Sequence, residues 1–168
     1  KTSIKVRHAS MARFTFDLNL PITGTPGDDN LVGTDGDDVI LGLAGDDTLY
    51  GGRGNNTLTG GEGDDTFIIF GGLLNASFAT ITDFTDGDSL RLTSLGNARI
   101  RLDEAAGDTD VYANGVLVAT VLDTGARDLL AGTDFQFTPK NVQLVIDGEN
   151  AGITQFGTNQ ADTLSAKG

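Results

Sequence analysis

The chain has no cysteine, a single histidine and few cations: 11 Lys and Arg stand against 24 Asp and Glu, for a formal net charge of -13. Without cysteine, disulfides, thiolate catalysis and zinc-thiolate sites are excluded, and a secreted domain of this kind needs some other staple. The one histidine, His8, falls in a patternless leader, which speaks against a Ser-His-Asp arrangement, and the sequence contains no H-E-x-x-H zinc helix. The shortage of Lys and Arg leaves no basic patch to meet phosphates, so the charge argues against nucleic acid and favours cations. No apolar run approaches the length of a membrane span, and residues 1–12 lack the apolar core of a signal peptide, so any export signal is expected elsewhere.

Glycine and aspartate, in contrast, are abundant and ordered. From Gly24 to Ile68 the chain reads in five blocks of nine, GTPGDDNLV, GTDGDDVIL, GLAGDDTLY, GGRGNNTLT and GGEGDDTFI. Positions one and four are always Gly; position six is Asp29, Asp38, Asp47, Asn56 and Asp65; position eight is Leu31, Ile40, Leu49, Leu58 and Phe67. A period held that strictly indicates a solenoid, because a flexible linker has no reason to place a large apolar residue at every ninth position. The glycines permit a tight turn whose carbonyls point inward. A carboxylate at position six adds a charged oxygen, and an all-oxygen site suits the hard cation Ca²⁺. Positions seven to nine form a short strand with position eight facing inside. Two blocks make one coil, so odd-numbered turns stack on one edge and even-numbered turns on the other. The position-five acids Asp28, Asp37, Asp46 and Asp64 are expected on a solvated outer face.

This pattern resembles the repeats-in-toxin (RTX), hemolysin-type family, whose nonapeptide G-G-x-G-x-D-x-U-x forms a calcium-binding parallel β-roll. The resemblance implies an ion between turn i and turn i+2, held by the two position-six side chains and by backbone carbonyls of both turns. Carried over, it pairs Asp29 with Asp47, Asp38 with Asn56, and Asp47 with Asp65. It assigns carbonyl ligands to positions two and four: Thr25 and Gly27, Thr34 and Gly36, Leu43 and Gly45, Gly52 and Gly54, Gly61 and Gly63. Thr25, Thr34 and Leu43 depart from the Gly of position two, a change that a carbonyl ligand survives. Asn56 removes a charge from the middle site. The resemblance also implies a bacterial exoprotein with type I secretion and an extracellular or cell-surface location, whose partners are calcium ions and adjacent domains of the same chain.

The other segments read as follows. Residues 1–13 are a leader or expression remnant, and residues 14–68 comprise a strand at Phe14–Leu20 followed by the roll, the strand covering the open end that an uncapped solenoid exposes. Residues 69–138 are a β-rich cap. It contains strands at Ala79–Phe84, Ser89–Leu92, Asn97–Leu102, Thr109–Ala113 and Val116–Leu122, a short helical turn at Ala126–Ala131 and a closing strand at Phe135–Phe137. Asn114-Gly115 marks a type I′ hairpin, since both central residues need positive φ. The I-T-D-F-x-x-G-D run carries Asp83 and Asp88, which read as turn acids, with ligation of another ion as the alternative. Residues 139–168 start a further segment with a strand at Val142–Ile146 and one degenerate repeat, Gly157–Ser165.

The fold class is therefore all-β: a parallel β-roll of nonapeptide repeats capped by a β-rich meander or sandwich. The fragment itself is read as non-catalytic, because the repeat acids are committed as ligands and the cap acids Asp103, Glu104, Asp108 and Asp110 cluster as a solvated loop. The reading that follows is a calcium-binding structural module of a larger secreted protein, folding on calcium binding after secretion. The alternatives are an accessory module of a secreted protease, lipase or alginate epimerase, and a repeat unit of an adhesin or surface-layer protein. An acidic extracellular polysaccharide is the partner an epimerase module brings, although so acidic a face repels it.

Overall fold

The computed structural model describes residues 20–70, 77–94 and 99–131, together with the backbone of strands at 135–137, 143–147, 154–156 and 162–164. The leader and the strand read at Phe14–Leu20 lie outside the described residues, apart from Leu20.

The apolar residue at position eight sets the architecture. β1 (Ile22–Thr23) precedes the first block, and the five blocks contribute β2 (Asn30–Val32), β3 (Val39–Ala44), β4 (Thr48–Tyr50), β5 (Gly54–Glu62) and β6 (Thr66–Phe70). Successive strands alternate between two sheets, so that β1, β3 and β5 pair in parallel in one and β2, β4 and β6 in the other. The register places Leu31 beside Leu49 and Leu49 beside Phe67, with Ile40 beside Leu58 on the facing sheet. Ile40, Leu49, Leu58 and Phe67 are fully buried, each contributing about 1.5–3 kcal/mol on removal from water. The period of nine is thus the spacing that returns one apolar side chain per half-coil to a shared interior.

The roll geometry continues past the last nonapeptide. β7 (Ser77–Ile81) pairs in parallel with β5, and β8 (Ser89–Thr93) with β6. Ile81 stacks on Leu58 and Leu90 on Phe67, all four buried. Ser89 N–H donates to the Asp65 carbonyl at 2.6 Å, just as Thr66 donates to Asp47 and Thr48 to Asp29. Phe84, from the turn between these strands, lies 5.9 Å from Phe67.

The cap extends the same sheet. β9 (Arg99–Ala105), β10 (Asp108–Ala113) and β11 (Val116–Val121) form the antiparallel meander, and β11 pairs in parallel with β7. Asn114 and Gly115 have φ of 52° and 81°, as the type I′ reading requires. Helix α1 (Ala126–Ala131) buries Ala126 and Leu129, and Glu104 accepts the Ala126 N–H at 3.1 Å. One apolar cluster runs from Ile40 to Leu129, so roll and cap share a core.

Four further strands follow, β12 (Phe135–Phe137), β13 (Gln143–Asp147), β14 (Thr154–Phe156) and β15 (Asp162–Leu164). β12 joins β8 and β13 joins β9, both in parallel, while β14 pairs antiparallel with β13. β15 carries Asp162 and Leu164 of the isolated nonapeptide, and it pairs antiparallel with β12, unlike any strand of the roll.

Candidate metal centres at the turns

The turns do not spend their glycines uniformly. Among positions four, Gly45, Gly54 and Gly63 have positive φ, and among positions two so do Leu43, Gly52 and Gly61. Position one needs glycine for a different reason. A Cβ on Gly42 would lie 2.3 Å from Asp47 Oδ2 and 2.3 Å from the Gly60 carbonyl oxygen, an impossible approach. Leu43 is the exception at position two: with φ at 92° it occupies a region that a side chain strains to enter.

The position-six side chains form a ladder. Asp29 N–H donates to Asp47 Oδ1 at 2.7 Å, Asp38 N–H to Asn56 Oδ1 at 2.9 Å, and Asp47 N–H to Asp65 Oδ1 at 2.9 Å. The structure therefore juxtaposes the residues of all three pairs read from the resemblance. The carbonyls of Thr34, Gly36, Leu43 and Gly45 face the next coil, and that of Thr34 accepts the Arg53 N–H at 3.2 Å. The places a Cβ would take on Gly52 and Gly54 lie 2.3 Å from the Thr34 oxygen and 2.5 Å from the Gly36 oxygen, and those on Gly61 and Gly63 lie 2.1 Å from Leu43 and 2.3 Å from Gly45.

The second carboxylate oxygen differs from turn to turn. In Asp29 and Asp38 it accepts the N–H and hydroxyl of Thr25 and Thr34. Asn56 instead donates its Nδ2 to the Arg53 carbonyl at 3.1 Å. In Asp47 and Asp65, which are 1% exposed, Oδ2 is buried with no hydrogen-bond partner. Buried unpaired carboxylate oxygens are costly unless a cation meets them. Burial pushes the Asp65 carboxyl up to about 6; the Asp47 N–H opposes the rise, and the charges of Asp88, Asp47 and Asp83 add to it. Among the described residues no three His, Cys or carboxylate side chains converge as a metal cluster, so a cation here would draw most of its ligands from main-chain oxygens. The donor set, two side-chain oxygens beside inward carbonyls, fits Ca²⁺.

Two further acids belong to this edge. Asp65 N–H donates to Asp88 Oδ1 at 2.8 Å, one rung beyond the last nonapeptide, across a sequence separation of 23 where the repeats have 18. Asp88 is 1% exposed; burial raises its pKa, against hydrogen bonds from the Asp65 and Thr85 N–H groups. Asp83 accepts the N–H groups of Gly60 and Gly61 at 2.9 and 2.8 Å. A count of nines carried on from the repeats misses both, since the connection after β6 makes the offset 23 in place of 18; the signal available was Gly87-Asp88 before the alternating Ser89-Leu-Arg-Leu92.

The position-five acids are exposed, as expected, but they are not merely solvated. Asp28 Oδ1 accepts the Asp46 N–H at 3.0 Å, Asp37 Oδ1 the Asn55 N–H at 2.7 Å, and Asp46 Oδ1 the Asp64 N–H at 3.0 Å. In the cap, Asp103, Asp108 and Asp110 also serve local contacts, although Asp103 Oδ1 is buried without a partner. Asp103 bonds Arg101, whose guanidinium lies 4.0 Å over the Tyr112 ring. Asp108 accepts the Asp123 N–H, and Asp110 the Thr120 hydroxyl.

The stacked turns form a parallel β-roll with buried, unpaired carboxylate oxygens of Asp47 and Asp65 along one edge. Residues 23–58 and 42–72 match the family model of the RTX calcium-binding nonapeptide repeat, in 4 copies. The match supports the RTX reading of this stretch, and RTX nonapeptide repeats bind Ca²⁺. No curated protein sequence matches the chain. RTX modules are structural calcium-binding units, not catalytic ones, and proteins that carry them are typically secreted. No described helix is long and apolar enough to cross a membrane.

Proposed function

We propose that the chain is the calcium-dependent structural module of a larger secreted protein, ordered by Ca²⁺ outside the cell. Asp29 with Asp47, Asp47 with Asp65, and Asp38 with Asn56 act as the side-chain ligands, and the carbonyls of Thr25, Gly27, Thr34, Gly36, Leu43, Gly45, Gly52, Gly54, Gly61 and Gly63 complete the donor sets. Asp65 with Asp88 continues the series on the first edge, with Asp83 holding the Gly60-Gly61 backbone beside it. The bound ion supplies positive charge at the buried turn oxygens. The observation that carries this reading is that, of three buried, unpartnered carboxylate oxygens among the described residues, two, Asp47 Oδ2 and Asp65 Oδ2, stand in successive turns of one edge.

Calorimetric titration of the full chain at fixed ionic strength tests it, alongside Asp47→Asn and Asp65→Asn. Each substitution should weaken more than one binding event, because each residue serves two sites. A wild-type chain with no Ca²⁺ uptake in the extracellular millimolar range would overturn the reading. The accessory-module and adhesin alternatives use the same turns and differ in the sequence that flanks them.

A further inference from the structure

The two carboxylate ladders run in opposite directions. In the turn at 42–47, Asp46 N–H is held by Asp28 in the coil before it, and Asp47 N–H by Asp65 in the coil after it. The Asp46 amide belongs to the same peptide unit as the Gly45 carbonyl, and in a planar trans unit N–H and C=O point in opposite directions. With the N–H drawn back towards Asp28, the Gly45 oxygen faces forward, which is where it is found, at 2.3 Å from the place a Cβ would take on Gly63. The same geometry recurs on the other edge, where Asp37 holds the Asn55 N–H and so directs the peptide unit of Gly54. It recurs again where Asp46 holds the Asp64 N–H of the peptide unit of Gly63.

Resting on the ligand reading above, we propose that the position-five carboxylates Asp28, Asp37 and Asp46 are positioning residues for calcium. Each aims the position-four carbonyl of the next coil into a site to which it contributes no ligand itself. Asp28 thus acts on the site of Asp47 and Asp65, although it belongs to neither turn. The role needs a hydrogen-bond acceptor and not a charge, so an amide oxygen can serve. Asn stands at this position in the fourth block, as Asn55.

The test is a site-resolved NMR titration of the full chain with CaCl₂, following the Gly45 carbonyl carbon and the Asp47 and Asp65 amides in wild type, Asp28→Ala and Asp28→Asn. Asp28→Ala should weaken binding at Gly45 by roughly fivefold, the size of one ordinary hydrogen bond lost at an exposed, solvent-screened position. Asp28→Asn should stay within about twofold of wild type, because its Oδ1 still accepts the N–H. Equal loss in both variants would show that charge and not carbonyl orientation matters, and no loss in either would show that Asp28 is only solvated; both overturn the proposal. If the wild-type Gly45 carbon does not respond to Ca²⁺ at all, the ligand reading falls first. Should Asp28→Ala fail to fold while Asp28→Asn folds and binds, rescue by the amide supports the proposal, and Asp37→Ala against Asp37→Asn repeats the comparison at Gly54 on the opposite edge.

Discussion

Of the turn residues that depart from the repeat, Leu43 and Asn56 each make a measurable difference. Leu43 sits at φ 92° and is 45% exposed, so its side chain adds strain with little burial in return. Replacing it with Gly should stabilise the calcium-loaded protein by about 0.5–1 kcal/mol, the relief of strain being partly offset by a freer unfolded chain; denaturant midpoints in excess calcium measure this, and a fall in the midpoint would refute it. Asn56 presents its amide nitrogen to the Arg53 carbonyl and thereby does internally what a cation does elsewhere. Asn56→Asp removes that donor and adds a charge, so calcium binding at the middle site should tighten while the metal-free protein loses stability. Identical titrations of mutant and wild type would show that Asp38 and residue 56 do not share an ion. Asp65 brings in pH. Its carboxyl is raised to about 6 by burial, so without metal its contribution to stability is fully present below the ordinary carboxylate range and is lost as pH rises through about 6. Calcium needs the ionised form, so affinity should fall as pH is lowered through the same window. Calorimetry at pH 5 and pH 7 should show weaker binding at the lower value, and pH-independent affinity would count against Asp65 as a ligand.

At the scale of elements, most of the architecture follows from period and turn chemistry. The position-eight residues announce the stacked strands, Asn114-Gly115 announces the hairpin, and Ala126–Ala131 is the helix the sequence suggests. What stayed hidden is the coil formed by β7 and β8. Residues 77–93 fall out of phase with the nonapeptides, because the connection after β6 makes the offset to the coil below 23 residues in place of 18, although Ile81 and Leu90 keep the spacing of nine between themselves. Periodicity detects equal spacing, whereas stacking requires only that the right side chain arrive at the right place. The position-five bonds were hidden for another reason: exposure and hydrogen bonding are compatible, and a sequence shows neither the amide in the next coil nor its direction. Leu90 tests the merged core, since it is fully buried beneath Phe67 and two residues from Asp88. Leu90→Ala should destabilise the protein by about 2–5 kcal/mol and should also weaken binding at the Asp65 and Asp88 turns. A mutant that loses stability but binds calcium at that edge as wild type does would separate the cap's packing from the turn's geometry.

For the whole molecule, the balance between core and charge decides whether calcium merely binds the fold or makes it. Asp29, Asp47, Asp65 and Asp88 line one edge in successive coils, at strand spacing of about 4.8 Å per coil. Like charges so close repel, and the chain as a whole carries a net charge of -13. Against this, each repeat buries little more than one apolar side chain, while ordering its backbone costs about 1–2 kcal/mol per residue. The cap is better supplied, with Ile100, Leu102, Val111, Val118, Ala119, Val121 and Leu129 packed together and its acids engaged in local contacts. Because a preformed site does not exist in the unfolded chain, metal binding energy becomes folding energy for the turns. Residues 24–68 are therefore expected to be disordered at the sub-micromolar calcium of bacterial cytoplasm and ordered at extracellular millimolar levels, with the cap keeping part of its β-structure in both. A chain with that switch stays unfolded enough for export and folds on arrival. Hydrogen exchange in EDTA and then in calcium checks this at single amides: Thr48, Thr57 and Thr66, which bond the Asp29, Asp38 and Asp47 carbonyls, should gain protection in calcium far beyond any gain at Thr109 to Ala113. Equal protection of these amides in both buffers would show that the roll is held by its apolar interior alone.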